Sequence, residues 1–244
     1  MSLSDDQIEQ AMVKIAEARY PVSFSGAGLS AESGIATFRD KDPDALWSKF
    51  DPAALASQQG FAADPVTVID WYGARRKTLS QSMPNAAHKA LASQQGWVHI
   101  TQNVDNLLEA SGANDKEVLH LHGSLLQDHC NAGCGYREEV NLDNPPSLRN
   151  CPDCDSYLRP SVVWFGESLS HEVLTHAADS AARADLLLVV GTSAQVYPAS
   201  GLIDIARDNH ADIIVVNTEP SELASRDIEL IGKAGEILPR LFSC

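Results

Sequence analysis

The sequence has no apolar stretch long enough to cross a bilayer, no surplus of positive charge, and no glycine at the third position of the common dinucleotide fingerprint. A spanning helix needs roughly 20 apolar residues. The best candidate run, Ala184 to Val190, is interrupted by Asp185 and stops at Gly191. The opening residues Met1-Ser2-Leu3-Ser4-Asp5-Asp6 are polar and acidic, so no secretory core is expected there. With 18 Lys and Arg against 33 Asp and Glu, the formal net charge of -15 repels phosphate backbones and argues against direct nucleic-acid binding. Cationic partners such as lysine-rich proteins suit that charge, and so does a surface that only keeps the chain in solution. What is present is a 44% apolar content over 244 residues, enough for one substantial core with a smaller unit attached. The expectation is a soluble, cytoplasmic protein with no membrane partner.

Cysteine is scarce, yet four of the five cysteines fall into two close pairs, Cys130 with Cys134 and Cys151 with Cys154, in a stretch rich in Asn, Asp, Gly and Pro. Such a stretch cannot build much core. Two thiol pairs 16 residues apart match two knuckles that deliver four thiolates to one tetrahedral zinc ion. The second pair has the usual C-x-x-C spacing, the first is C-x-x-x-C, and His129 stands beside it as a substitute ligand. Two disulfides or idle thiols are the alternatives. Four sulfurs leave no open position for water, so the expected metal is structural. Cys244 reads as a bystander.

Hydrophobic patterning predicts a helix over about residues 5 to 19, a strand at Val22 to Ser25, a glycine turn and a short helix from about Ala31. Trp97 to Thr101, Asp185 to Val190 and Asp212 to Val216 suit buried parallel strands, each reached after a helix-compatible stretch. The fold class is therefore α/β, a Rossmann-like doubly wound parallel sheet with a smaller inserted domain made of a zinc ribbon and a helical module. The turn Gly26-Ala27-Gly28 can bring backbone close to a pyrophosphate at the N-terminus of the following helix. A tight turn without a ligand is the plain alternative. Gly191-Thr192-Ser193 and Asn217-Thr218-Glu219 follow two other strands, so three strands end in small or hydrogen-bonding residues, where open α/β sheets bind ligands.

The segments Gly26 to Asp40, Thr101 to Leu107, His120-Leu121-His122-Gly123, the paired cysteines, Val163-Trp164-Phe165-Gly166-Glu167 and Gly191-Thr192-Ser193 stand in the order found in sirtuins, the NAD-dependent protein-lysine deacylases. The chain resembles that family over nearly its whole length. It departs from it at Ala36, where the family usually has proline, and in the longer first cysteine knuckle.

The resemblance implies NAD as co-substrate and one structural zinc ion. It implies pyrophosphate contacts at Gly26, Ala27 and Gly28, with Phe38 and Arg39 beside the nicotinamide and its ribose. It places Gln102, Asn103, Val104 and Asp105 in the nicotinamide pocket, although Asn103 and Asp105 also suit a capped helix start. Gly191, Thr192, Ser193, Asn217, Thr218, Glu219 and Ala234 resemble the adenosine contacts. His122 is implied as the general base, for which a near-neutral imidazole is suited. His120 is expected to face the other way and to serve as its control. Val163, Trp164, Phe165 and Gly166 resemble the segment that pairs with the substrate backbone as an added strand, with an ordinary core strand as the alternative for Val162 and Phe165.

In the implied reaction an acyl-lysine oxygen attacks the ribose carbon of NAD, nicotinamide leaves, and water finally releases lysine and O-acyl-ADP-ribose. Tyr72 and Arg75, three apart on a predicted helix, share a face, and a phenol beside a guanidinium can hold a carboxylate. Tyr-x-x-Arg resembles the signature of class III sirtuins, which remove succinyl and malonyl groups. The expected partners are acyl-lysine-bearing proteins. A sirtuin-fold ADP-ribosyltransferase and a non-catalytic NAD or ADP-ribose binding module are the rivals, and a hydride-transferring dehydrogenase is the remotest. The expected domains are a Rossmann-like NAD-binding domain of residues 1–35, 85–122 and 160–244, a helical insertion at 36–84 with cofactor loop and acyl pocket, and a zinc-ribbon module at 123–159.

Overall fold

The computed structural model describes residues 5–36, 51–193, 199–221 and 227–243. The chain opens with α1 (Asp5–Glu17) and β1 (Pro21–Ser25), followed by the helices α2 (Pro52–Leu55), α3 (Gln58–Ala63), α4 (Pro65–Gln81) and α5 (Ala86–Ala92). Next come β2 (Val98–Thr101), α6 (Leu107–Ala110), β3 (Val118–His120), β4 (Gly123–Cys130), β5 (Arg137–Glu139) and β6 (Leu158–Val162). The chain then runs through α7 (His171–Arg183), β7 (Leu186–Val190), α8 (Gly201–Asp208), β8 (Asp212–Asn217), β9 (Ile228–Ile231) and α9 (Ala234–Leu241). No helix among the described residues is long and apolar enough to cross a membrane.

Six strands form one parallel sheet in the order β3-β2-β1-β7-β8-β9. Numbered among themselves along the chain, they read 3-2-1-4-5-6, the order of the doubly wound dinucleotide-binding fold. Both faces of this sheet are covered, which explains why β7 is apolar at every position. Leu186, Leu188 and Val190 pack on one side with residues of α1, α5 and α9, while Leu187 and Val189 pack on the other with residues of α7 and α8. The sheet includes two strands absent from the sequence reading. Edge strands β3 and β9 are short and carry polar or charged residues, His120 and Glu229, within their spans.

The short helix expected from about Ala31 is instead a pair of 3₁₀ turns, Ala27–Leu29 and Ala31–Ser33. Gly34, at φ +81°, takes the left-handed conformation that ends such a turn, and the Ser30 hydroxyl is drawn into bonds with the loop after β2.

A second, antiparallel sheet of order β5-β4-β6 stands beside the main one. Asp64 caps α4, its carboxylate accepting from the Thr67 amide, and Pro65 occupies the first turn. The inward side of α4 joins Phe61, Leu125 and Trp164 in a third apolar cluster. That contact is fixed by one buried ion pair. β4 shifts register against β6 between Ser124 and Asp128, and Arg76 of α4 enters there. Its Nε donates to Leu125 O at 2.9 Å, and its Nη2 donates to Gln127 O at 3.2 Å and to Asp128 Oδ1 at 2.6 Å. Arg149 holds the other Asp128 oxygen at 2.9 Å and also pairs with Glu138. Arg76→Ala leaves Asp128 buried without its main partner, so a loss of about 3–5 kcal/mol is expected in urea unfolding. Arg149→Ala, at a position 31% exposed, is expected to cost far less. Equal losses for the two would contradict this assignment.

Candidate active site and cysteine cluster

The strand order reverses between β1 and β7, and the turns leaving their carboxyl ends meet backbone against backbone. Gly26 N donates to Val190 O at 3.0 Å and Gly28 N to Gly191 O at 2.8 Å. A Cβ on Gly28 would lie 2.7 Å from Gly191 Cα, and a Cβ on Gly26 would lie 2.7 Å from Thr192 Cβ. Gly191 itself has φ +59°. The glycines are thus required first by the approach of the two turns, which sets how close any ligand can come to the sheet.

The segment after β2 lies alongside. Gln102 N donates to Ser25 O, and the Gln102 Oε1 accepts from Thr192 Oγ1 at 2.8 Å. Gln102 Nε2 is buried and has no hydrogen-bond partner among the described residues, an unused donor at the strand ends. Asn103 and Asp105 are buried, and Ser30 joins them. Its hydroxyl donates to Asp105 Oδ2 at 2.9 Å and accepts from Asn103 Nδ2 at 3.1 Å. Asp105 Oδ1 accepts from Leu107 N at 3.1 Å, so the helix-start role also holds. Burial raises the Asp105 carboxyl above its ordinary range. Val104 is half-buried, and its carbonyl accepts from Leu125 N.

His122 follows β3. Its Nδ1 donates to Gln102 O at 3.0 Å, which places the proton on that nitrogen and leaves Nε2 as the acceptor. Burial outweighs this hydrogen bond and holds the ring below the usual histidine range, hence neutral. Gly123 has φ +78°, and a Cβ there would collide with Ser161 O, so a side chain is excluded beside His122. The expectation that His120 faces away is corrected. Side chains two apart in an extended segment share a face, and His120 Nδ1 donates to Asn103 O at 2.9 Å, the carbonyl next to the one that His122 holds.

Asn217 Nδ2 donates to Thr192 O at 3.3 Å, bridging the ends of β8 and β7. Ser193 is half-buried, Thr218 and Glu219 are exposed after β8, and Ala234 is buried at the start of α9. Phe38 and Arg39 lie outside the described residues, as does Cys244.

Tyr72 and Arg75 both turn inward from α4. Burial pushes the Tyr72 phenol up to about 12, and its oxygen accepts from Trp164 Nε1 at 2.9 Å. The Arg75 guanidinium lies 4.9 Å from the Trp71 ring centre, and burial lowers its pKa against the pull of Tyr72 and Asp105. The segment from Val163 is not a continuous strand, because β6 ends at Val162. Val163 N donates to His122 O, Trp164 is buried, Phe165 is 54% exposed with its N–H on Ala56 O, and Gly166 turns at φ +85°. Phe165 is therefore no core residue. Arg159 stacks on Trp164 at 3.9 Å and pairs with Glu167, whose other oxygen accepts from Trp164 N.

The four paired cysteines are unbridged, and their sulfurs all lie within 4.8 Å of one another. Cys130 Sγ is 3.3 Å from Cys154 Sγ, and Cys134 Sγ is 3.5 Å from Cys151 Sγ. A tetrahedral zinc–thiolate site has sulfur–sulfur edges of roughly 3.8 Å, so the donor set fits zinc. Gly133 within the longer first knuckle and Gly135 just after it both have positive φ. His129 stands outside the cluster, its Nδ1 bonded to Ser161 Oγ at 3.2 Å.

Ser30 and His88 are functional candidates that the sequence reading missed. Asn85 N donates to His88 Nδ1, so His88 Nε2 carries the proton and donates to Ser30 Oγ at 3.3 Å. The one sequence signal was Asn85-x-x-His88, the spacing of a capping box with histidine in place of Glu or Gln.

A doubly wound nucleotide-binding sheet with a thiol-rich ribbon beside it defines the structural class. The chain belongs within it to the Sir2 family, whose family model matches residues 26–198. It is 43% identical to NAD-dependent protein deacylase 1 of Archaeoglobus fulgidus over 96% of both chains. It is 44% identical to NAD-dependent protein deacylase 1 of Pseudomonas aeruginosa over 93% of this chain and 94% of that one. The crystal structure of a Sir2 homolog–NAD complex superposes with a TM-score of 0.90 at 41% identity, over 99% of this chain and 94% of that one. A Sir2–p53 peptide–NAD+ complex superposes with a TM-score of 0.82 at 27% identity, over 96% of both chains.

Two outcomes are expected. Purified protein carries one zinc ion per chain by elemental analysis, and Cys151→Ser loses both the ion and thermal stability; full stability without metal would exclude the structural site. The second concerns His88 and His99, which burial holds down to about 4. Unfolded histidines bind protons near 6.5, so the unfolded state holds more protons between those values, and stability present above pH 6.5 is lost as the pH falls towards 4. The loss is up to roughly 3 kcal/mol per ring. Urea unfolding free energies that stay flat from pH 7 to 5 would contradict it.

Proposed function

We propose that this chain is an NAD-dependent protein-lysine deacylase acting on acyl-lysine proteins and yielding nicotinamide, O-acyl-ADP-ribose and free lysine. The observation that carries the reading is the state of His122, a neutral ring with its proton fixed towards Gln102 O and Nε2 left as acceptor beside the Gln102 to Asp105 segment. The unused Gln102 Nε2 donor and the close glycine turns support a dinucleotide at the same strand ends. When bound, NAD supplies a ribose carbon activated by its nicotinamide leaving group and a neighbouring hydroxyl.

In this reading His122 Nε2 takes the hydroxyl proton, and Gln102, Asn103, Val104 and Asp105 hold the nicotinamide end. Gly26, Ala27 and Gly28 meet the pyrophosphate, and Phe38 and Arg39 flank the nicotinamide and its ribose. Gly191, Thr192, Ser193, Asn217, Thr218, Glu219 and Ala234 take the adenosine half. Val163, Trp164, Phe165 and Gly166 receive the substrate backbone. Cys130, Cys134, Cys151 and Cys154 hold zinc away from the reaction, and the four unbridged thiols suit the reducing cytoplasm. The division into a Rossmann-like domain, a helical insertion at 36–84 and a ribbon at 123–159 belongs to the same proposal.

The finer proposal is a preference for succinyl and malonyl groups over acetyl. Tyr72 accepts from Trp164, so its own O–H is available to donate, and Arg75 is drawn out of water beside it. A buried guanidinium gains most from an anionic acyl end.

Mass spectrometry with NAD and matched succinyl-lysine and acetyl-lysine peptides tests both levels. Deacylation is expected to fall roughly 10²–10⁴-fold in His122→Ala. Arg75→Met is expected to lose desuccinylation while keeping deacetylation. Nicotinamide release without acyl-lysine would instead favour an ADP-ribosyltransferase, and NAD binding without turnover a binding module.

A further inference from the structure

Beneath the Gln102 to Asp105 segment, Glu109 of α6, His120 at the end of β3 and the Asn103 backbone form a chain. Glu109 Oε1 lies 2.6 Å from His120 Nε2, and His120 Nδ1 lies 2.9 Å from Asn103 O. A carbonyl oxygen can only accept, so Nδ1 carries a proton. An ionised carboxylate can also only accept, so Nε2 carries one too. The His120 ring is then a cation, two residues from a His122 ring that is neutral.

We propose that the Glu109–His120 ion pair is a positioning device for the nicotinamide end of the site, a fixed imidazolium that clamps the Asn103 carbonyl and holds Gln102 to Asp105 in register with His122. This rests on the NAD-binding reading above. The two histidines hold adjacent carbonyls of one segment, Gln102 O and Asn103 O, so neither ring can shift without moving the same backbone.

The surroundings favour a charged pair. Glu109 Oε2 is buried and has no hydrogen-bond partner among the described residues, so charge rather than a second bond holds this carboxylate. The other titratable groups that face the pair are Asp105 of the same segment, His99 of β2 and His88 of α5. His88 and His99 are kept neutral by burial, and Asp105, His88 and Glu109 are packed around the same narrow recess as His120. Burial works against the charge on His120, and the hydrogen bond and charge of Glu109 outweigh it, so the ring sits above the usual histidine range. Burial alone would raise Glu109, and His120 brings it below its usual value.

Glu109→Gln keeps a group of the same shape that can still bond Nε2 while the charge is lost. The test is the imidazole nitrogen NMR of the wild type and this variant, with NAD affinity measured by calorimetry from pH 6 to 9. Wild-type His120 is expected to hold both protons at pH 7.5 while His122 holds one. NAD affinity is expected to stay level until the pH passes the raised His120 value. In Glu109→Gln, His120 loses its second proton, and NAD affinity at pH 7.5 falls about tenfold, the scale of one hydrogen bond to a charged group. His120→Gln should weaken NAD to a similar degree. A singly protonated wild-type His120, or a Glu109→Gln variant with wild-type affinity and pH profile, would overturn the proposal. NAD binding with no deacylation of any peptide would refute the functional reading alone.

Discussion

The contact between two backbones at the carboxyl ends of β1 and β7 governs the rest of this protein. A doubly wound sheet opens a crevice where its strand order reverses, and here that crevice is closed from below by Gly28 N on Gly191 O and Gly26 N on Val190 O. No side chain fits at Gly28 or Gly191, because a Cβ on Gly28 would lie 2.7 Å from Gly191 Cα and one on Gly191 would lie 2.5 Å from Gly28 C. The glycines therefore form a backbone floor, and the polar side chains above it are Thr192 from the β7 turn itself, Gln102, Asn103 and Asp105 after β2, and His122 after β3. Every one of these sits at a strand end, so the parallel sheet alone gathers the site from distant parts of the chain.

The site is tuned by what surrounds its histidines. His122, His120 and His88 all reach the Gln102–Asn103 segment through hydrogen bonds, His88 by way of Ser30, yet each has its proton arrangement dictated by fixed partners. A backbone carbonyl fixes the His122 tautomer, a carboxylate and a carbonyl charge His120, and a backbone N–H with a serine hydroxyl fixes His88. Groups of one type pushed to different protonation states are what acid–base chemistry near neutral pH requires. The small sheet and α4 are locked to each other by Arg76 and Asp128, and Tyr72 of α4 meets Trp164 in the same apolar cluster.

β7 and the middle of β8 were legible because parallel strands covered on both faces are apolar, and β1 and β2, which interleave apolar residues with buried Ser23, Ser25, His99 and Thr101, also fall where the patterning put them. The cysteine spacing was equally readable, since a four-thiolate site is written directly in sequence. Edge strands β3 and β9 were not legible, because a strand covered less completely tolerates His120 or Glu229. Long-range polar bonds left no local trace: nothing near Tyr72 announces Trp164, and nothing near Arg76 announces Asp128. His120 was misjudged by geometry, since residues two apart in extended chain share a face. The glycine turn was found, but its first duty, the approach to Gly191, depends on a segment far along the chain.

The most direct measurement of the central claim is exchange of labelled nicotinamide into NAD by wild type and His122→Ala, with and without an acyl-lysine peptide. His122 is assigned a proton transfer that follows nicotinamide departure, so exchange should require the peptide and persist in the variant while release of free lysine is lost. Exchange that proceeds equally without peptide, or release of lysine undiminished in His122→Ala, would contradict the account.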